Sequence, residues 1–374
     1  MKDEYPNSKS DLFAAFIERC TKFAGLQGVA AMITMQSWMF LSSYEKLRAV
    51  LLKNQRFTSM LHLGARAFDS IGGDVVSATA FVLENVPSDT HGIARTRTGV
   101  FIRLIDGTSE AEKVSALSLA LEARTTDAGL HLASDSDFKA IPGSPIVYWL
   151  SEKMRAAFNI GRPISRIGVP KAGMHGGDVN RFARRWYEVS EQRSVRDAPS
   201  TAEVHANGRK WVGLNKGGAF RKWYGNQEYV LAFDIENYEI LKVSGNKLPS
   251  RDFYFLPSVS WSKVSSGSPA FRMYPEGFVF DVSGTPVFGA EVDLLDICAI
   301  ANSEPARKLL EAMAPTLNFE IGQVASLPIL STEGLDEGRA RTRRLIAESK
   351  ADWDSSETSW SFRENPLVAL ARGC

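Results

Sequence analysis

With 374 residues, 44% hydrophobic and 23% charged, the chain is too long for one ordinary core and too apolar for disorder, which predicts a globular protein of two or three domains. A net charge of +1 excludes a whole-molecule field that attracts nucleic acid, yet 13 Lys and Arg against 5 Asp and Glu between residues 161 and 225 gather positive charge in one region. Cys20, Cys298 and Cys374 stand alone, as do His62, His91, His131, His175 and His205, so neither a disulfide framework nor a structural metal is expected. No stretch reaches the ~18 apolar residues of a membrane span, and a reducing cytoplasmic setting without membrane partners is expected.

Residues 11–24 predict a helix capped by Ser10 or Asp11, with Leu12, Phe13, Phe16, Ile17, Cys20 and Phe23 near one face. A turn at 25–28 leads into 29–34, a continuous apolar run of the kind a buried parallel strand shows. A helix at 43–53, a strand at 57–63, a Gly72-Gly73-Asp74 loop and a strand at 75–83 complete what reads as half of an α/β sheet. A polar connection follows at 87–98. Beyond it come a strand at 99–105, a helix at 109–124 with Val114, Leu117 and Leu121 on one side, a strand at 129–133 and a helix at 146–158. Short runs at 211–214, 229–234, 253–256, 278–282 and 285–288 predict a strand-rich region closed by helices at 294–301 and 305–313. A polar helix at 333–351 precedes Trp353 and Trp360, which need a surface to lie on.

Three segments of the second half carry the chemistry. Lys171 opens a glycine-rich loop that runs to Asp178 and is followed by Arg181, Arg184, Arg185 and Trp186. The stretch 213–226 sets Lys216, Arg221 and Lys222 among glycines together with Phe220, Trp223 and Tyr224. The third segment, 252–281, places Ser258, Ser260, Ser262, Ser265 and Ser266 beside Trp261, Lys263 and Arg272. Cations neutralise phosphates, flat rings accept bases, and hydroxyls hydrogen-bond to phosphate and sugar oxygens. The competing reading is a solvated hairpin whose rings cap a core, with serines that only make turns and Trp261 packed inside.

Two stretches of the first half, Gly-Val-Ala-Ala-Met-Ile-Thr at 28–34 and Leu-Gly-Ala-Arg-Ala-Phe at 63–68, resemble the C-terminal half of the catalytic domain in amino-methylating N6-adenine DNA methyltransferases. The resemblance implies that Phe16 contacts the adenine of S-adenosylmethionine and that Phe68 packs on the flipped target base; core packing is the alternative for both. In the second half, Lys-Gly-Gly-x-x-Arg-Lys-Trp-Tyr-Gly-Asn at 216–226, Trp-Ser-Lys-Val-Ser-Ser-Gly at 261–267, Tyr-Pro-Glu-Gly-Phe-Val-Phe-Asp at 274–281, Pro-Thr-Leu-Asn-Phe at 315–319 and Trp-Asp-Ser-Ser-Glu-Thr-Ser-Trp at 353–360 recur in order. Together they resemble the target-recognition part of the PglX family, the adenine-specific methyltransferases of bacterial BREX phage-defence systems.

That resemblance implies an α/β fold: a partial Rossmann-like methyltransferase sheet in 1–86, an α/β spacer in 87–160, a mixed α+β, strand-rich target-recognition domain in 161–330 and a helical segment with a tail in 331–374. It implies duplex DNA as partner, gripped by Lys171, Arg181, Arg184, Arg185, Lys216, Arg221, Lys222, Trp223, Tyr224, Trp261, Ser262, Lys263 and Arg272. The missing methyltransferase half and other BREX components are further expected partners. S-adenosylmethionine is the cofactor of the complete enzyme. The family places a glycine-rich cofactor loop and an Asn-Pro-Pro-Tyr motif upstream of these segments, and neither occurs here: the one Asn-Pro, Asn365-Pro366, runs into Leu367. No catalytic residue is therefore named, the chain alone is expected to bind no cofactor, and one edge of the sheet is expected to be unpaired. A non-catalytic protein-binding module anchored by Trp353 and Trp360 is the alternative function.

Overall fold

The side chain of Asp11 accepts the amide of Leu12 and opens α1 (Leu12–Phe23), the first element of a computed structural model that describes residues 3–70, 76–86, 98–175, 179–265, 267–314, 318–330 and 335–372. The expected loop at 72–74, Val75, most of the polar connection, His91, Asp178, Ser266, Pro315-Thr316-Leu317 and Cys374 lie outside the described residues. The chain divides into two units, 1–159 and 160–374.

In the first unit α1 is followed by β1 (Val29–Met35), α2 (Glu45–Asn54), β2 (Arg56–Gly64), β3 (Ala78–Glu84), β4 (Thr98–Arg103), α3 (Glu110–Ala123), β5 (Leu130–Ser134), α4 (Asp135–Lys139) and α5 (Glu152–Ile160). The strands form one sheet in the order β1-β3-β2-β4-β5. Among the described residues of this unit only β2 and β4 pair in parallel, and because β3 is antiparallel to both β1 and β2, strands β1, β2 and β4 run in one direction. On one face Trp38, Phe57, Phe81, Phe101 and Phe138 pack ring to ring at centroid distances of 5.2–6.2 Å. This aromatic layer is the core of the unit.

Four expectations need correction here. The run at 29–34 is not a buried parallel strand: β1 is an edge strand, antiparallel to β3, with Val29 59% and Ile33 58% exposed. An unbroken apolar run carries no period from which its exposed face could be read. On α1 the buried residues include Ala14, Ala15, Ile17 and Thr21, while Leu12, Phe16 and Phe23 point out; small side chains face inward and let the helix lie close. Likewise α3 buries Lys113 and Ala120 and packs Ala116 and Leu117, leaving Val114 and Leu121 exposed. Finally, residues 146–151 are not helical. The amide of Ile146 donates to the carbonyl of Met39 and the hydroxyl of Tyr148 meets His62, so a largely buried, turn-bearing segment precedes α5.

The second unit contains β6 (Arg162–Pro163), β7 (Val169–Pro170), α6 (Val179–Phe182), β8 (Ala183–Arg185), β9 (Ser194–Val195), α7 (Thr201–Asn207), β10 (Trp211–Asn215), β11 (Tyr229–Ala232), α8 (Ile235–Val243), β12 (Ser258–Ser262), β13 (Phe271–Tyr274), β14 (Phe278–Phe280) and β15 (Gly284–Phe288). The helices α9 (Glu291–Ala301), α10 (Glu304–Met313) and α11 (Ile321–Ser326) follow, then β16 (Pro328–Ile329), α12 (Leu335–Asp354) and α13 (Pro366–Arg372). One sheet is ordered β14-β10-β11-β8 with β9 beside β10, a second β13-β12-β15-β7. Val212, Leu214, Leu231, Phe233, Phe255 and Phe280 belong to one core, and α9 packs against β12 and β13.

The expected strand at 253–256 is instead a single helical turn, Arg251–Phe253, followed by Phe255 in the left-handed region at φ +70°. The expected exposed hydroxyls Ser258 and Ser260 lie inside β12 and are buried. Ser260 Oγ accepts from Asn215 Nδ2 at 2.7 Å and donates to the carbonyl of Thr285 at 3.0 Å, so a polar-looking sequence becomes a core strand by joining β10, β12 and β15 through side chains.

Candidate nucleic-acid interface

In the first unit the common direction of β1, β2 and β4 brings Gln36, His62 and Arg103 to one end of the sheet, the carboxyl end at which α/β folds gather ligands. His62 Nε2 lies 2.7 Å from Gln36 Oε1, which can only accept, so Nδ1 receives the Tyr148 hydroxyl at 3.0 Å. Burial, then the charges of Arg103 and Lys113, push the imidazole down to about 3. It is therefore a neutral brace between strands, not a general base. The guanidinium of Arg103 stacks over Trp149 at 5.0 Å.

The two phenylalanines singled out in the sequence both present ring surface. Phe68 follows β2 and is 38% exposed; Phe16 is 48% exposed on α1, whose Phe13 ring meets Tyr44 at 5.8 Å beside the chain leaving β1. Neither is the core residue that the alternative reading made of it.

In the second unit the candidate cations separate into two groups. The first converges on Tyr229, which sequence reading had missed. Arg185 on β8 lies 4.6 Å above that ring and Lys216, just after β10, lies 5.1 Å from it. β8 is an edge strand paired to β11 with Arg185 opposite Tyr229, so strand pairing assembles the cluster from three stretches of chain. Arg185 also pairs with Glu228. Arg181 and Arg184 are exposed beside it. Beneath Lys216 the buried Asp281 has its carboxyl raised by burial, against the lowering effect of the Ser283 and Gly284 amides and of Lys216 itself. Phe220 is exposed on a glycine-bearing tip where Gly218 adopts φ +130°. Lys171 stands apart, 4.2 Å above Phe253.

The second group pairs with residues further along the chain. Arg221 stacks on Trp353 at 4.8 Å and reaches Asp352 at 3.3 Å; Lys222 Nζ donates to the carbonyl of Asn302 at 2.9 Å; Lys263 pairs with Glu320 at 3.1 Å. Trp223 is half-buried, and its amide and carbonyl bond to Phe271 and Met273 of β13. Tyr224, Trp261 and Arg272 are buried, which corrects the expectation that they touch DNA. Trp261 Nε1 donates to Phe319 O, the Tyr224 hydroxyl meets Gln227, and Arg272 Nη2 donates to half-buried Ser262 Oγ, which in turn donates to Gly218 O. Trp353 is buried, and Trp360 packs on Phe278 with Arg196 over its ring, so both tryptophans lie on this chain's own surface. They are not free anchors for a protein partner. Among the described residues no helix is long and apolar enough to cross a membrane.

The sequence model of the Eco57I restriction-modification methylase family matches residues 1–68. Over 98% of its length the chain is 37% identical to the adenine-specific methyltransferase BrxX of Escherichia coli O9:H4 (strain HS), of which it covers 29%. It is also 37% identical over 97% of its length to the adenine-specific methyltransferase PglX of Lacticaseibacillus casei (strain Zhang), of which it covers 30%. In structure it is similar to the Type IIL restriction-modification enzyme MmeI, solved in complex with DNA, with a TM-score of 0.53 at 12% identity, covering 96% of this chain and 47% of that one. A nuclease-deletion mutant of the Type ISP restriction-modification enzyme LlaGI, solved with a DNA substrate mimic, gives 0.50 at 11% identity, covering 90% of this chain and 31% of that one. These structures share the α/β fold. By its sequence the chain belongs with the adenine-specific methyltransferases BrxX and PglX, of whose length it spans a little under a third.

Proposed function

We propose that this chain is the DNA-recognition portion of an S-adenosylmethionine-dependent adenine-N6 DNA methyltransferase of a BREX-type phage-defence system, binding duplex DNA and placing the target adenine. The observation that carries this reading is the basic cluster around Tyr229, where Arg185 and Lys216 lie against the ring beside an edge strand that also carries the exposed Arg184, with exposed Arg181 just before it. Such a cluster neutralises phosphates, while Phe220 and Tyr229 offer ring faces. That MmeI and LlaGI are solved with DNA or its mimic supports the same partner. In the first unit Phe68 stacks the extruded base.

The residues present fit S-adenosylmethionine in part. Phe16 offers a face for its adenine, but the sequence contains no glycine-rich loop to receive the rest of the cofactor and no Asn-Pro-Pro-Tyr to orient the adenine amino group. In the proposed enzyme the other two thirds of the relatives' length supply both, and cover the exposed Leu12, Phe23, Val29 and Ile33.

The test is the affinity of the 374-residue chain for duplex DNA as a function of salt. Affinity is expected to fall steeply as salt rises, and Arg184→Ala or Lys216→Ala is expected to weaken binding for all sequences and reduce the log–log slope by about 1 each. Binding that does not change with salt would sink the proposal.

A further inference from the structure

The chain leaving β2 turns sharply. Gly64 sits at φ +71°, where a Cβ would lie 3.0 Å from the Ile105 side chain, and Arg66 follows at φ +53°. Four residues after Gly64 comes Phe68, its ring partly in solvent. Two contacts from the first turn of α3 grip this segment on either side. Lys113, only 4% exposed, points its ammonium at three carbonyls: Leu63 at 2.7 Å, Leu104 at 3.0 Å and Gly107 at 2.7 Å. Each of its three protons has one acceptor. One residue past Phe68, the amide of Asp69 donates to Glu110 Oε1 at 2.7 Å, and the amide of Glu110 donates back to Asp69 Oδ1 at 3.1 Å.

The grip therefore falls one residue before Gly64 and one residue after Phe68, and the exposed ring lies within it. We propose that the first turn of α3 is a positioning device for Phe68, with Lys113 and Glu110 as positioning residues that fix the ring for an unstacked base. The inference rests on the reading of Phe68 as the base-stacking residue. A ring on a loose loop loses stacking free energy to the ordering of that loop; a ring on a fixed loop keeps it. Lys113 and Glu110 touch neither base nor cofactor in this account. They act through the backbone of residues 63–69.

The experiment compares two duplexes of one sequence, fully matched or with a single adenine opposite an abasic site, which lowers the cost of extruding that adenine. The wild-type chain is expected to prefer the abasic duplex by about tenfold, and Phe68→Ala to abolish the preference. Glu110→Ala and Asp69→Ala are expected to remove most of the preference while leaving affinity for the matched duplex unchanged. Glu110→Gln and Asp69→Asn keep a carbonyl oxygen for the opposing amide and are expected to restore it. All three positions changed are exposed, so folding is not at stake, and faster hydrogen exchange of the Asp69 amide in the alanine variants reports the loosened segment directly. If Phe68→Ala abolishes the preference and the alanine variants at 69 and 110 do not, the positioning role is wrong and the stacking role stands. If Phe68→Ala changes nothing, the stacking role itself is wrong and the positioning role falls with it.

Discussion

Cations in this protein divide by what surrounds them, not by their place in the sequence. Arg48 is buried and donates to the carbonyls of Trp38, Leu41 and Gly143, and burial lowers its guanidinium to about 10. Lys113 holds three carbonyls in the same manner, and Arg272 bonds Ser262 while its Nε and Nη1 find no acceptor among the described residues. Arg48 and Lys113 are not legible in a sequence, because a cation held by main-chain oxygens needs no acidic residue at any spacing. The cap of α1 was legible, Asp11 being one of the two residues expected there, since a cap acts on its own neighbours. His62 gives a prediction at this scale. Its folded value of about 3 lies below the ordinary 6.5, so the unfolded chain binds the proton first and stability is lost as pH falls from about 6.5 toward 3. The loss attributable to this residue is on the order of 4 kcal/mol when the window has been crossed. In chemical denaturation at pH 7 and pH 4.5, His62→Gln is expected to lose less stability on acidification than the wild type. Equal losses would mean that His62 is not held neutral.

At the level of elements, the stretch 216–226 shows what composition can and cannot distinguish. Cations, aromatics and glycines suit a phosphate backbone, and they also suit cation–π packing inside a protein. The chain uses both: Lys216 at the start of the stretch joins the Tyr229 cluster, whereas Arg221, Trp223 and Tyr224 pack against α12 and β13. The point of division could not be read because Trp353, more than a hundred residues downstream, decides it. Gly225 fixes this arrangement. It has φ +123°, and a Cβ there would lie 2.8 Å from the Arg221 side chain and 3.1 Å from the Trp353 ring. Gly225→Ala is accordingly expected to cost about 1–3 kcal/mol and to shift the urea midpoint followed by tryptophan fluorescence. An unchanged midpoint would show that the ring does not need the glycine. The strand β12 was hidden for a related reason: a serine that is satisfied across three strands looks like a turn residue when taken alone.

For the whole molecule, the order of helices and strands through the first sheet was readable because local period and caps write it, and residues 1–68, where the family model matches, are the best-read part. What a sheet exposes was not readable, since that depends on which elements cover it. The proposed division of labour with the remaining length of the relatives also predicts what the isolated chain does. With labelled S-adenosylmethionine and DNA, the 374-residue chain is expected to transfer no methyl group, because transfer requires a pocket for the sulfonium and a polar clamp on the amino nitrogen. N6-methyladenine in the product DNA would overturn this. The outward side of β1 has a consequence for anyone who handles the protein. From Val29 to Met35 the strand carries no charge, and among the described residues it pairs with β3 alone. Charge is the usual guard on such a rim, so the isolated chain is expected to add strand to strand there as its concentration rises, an association that light scattering would detect. Colloidal behaviour, more than the free energy of folding, then sets the concentration at which the isolated chain can be kept in solution.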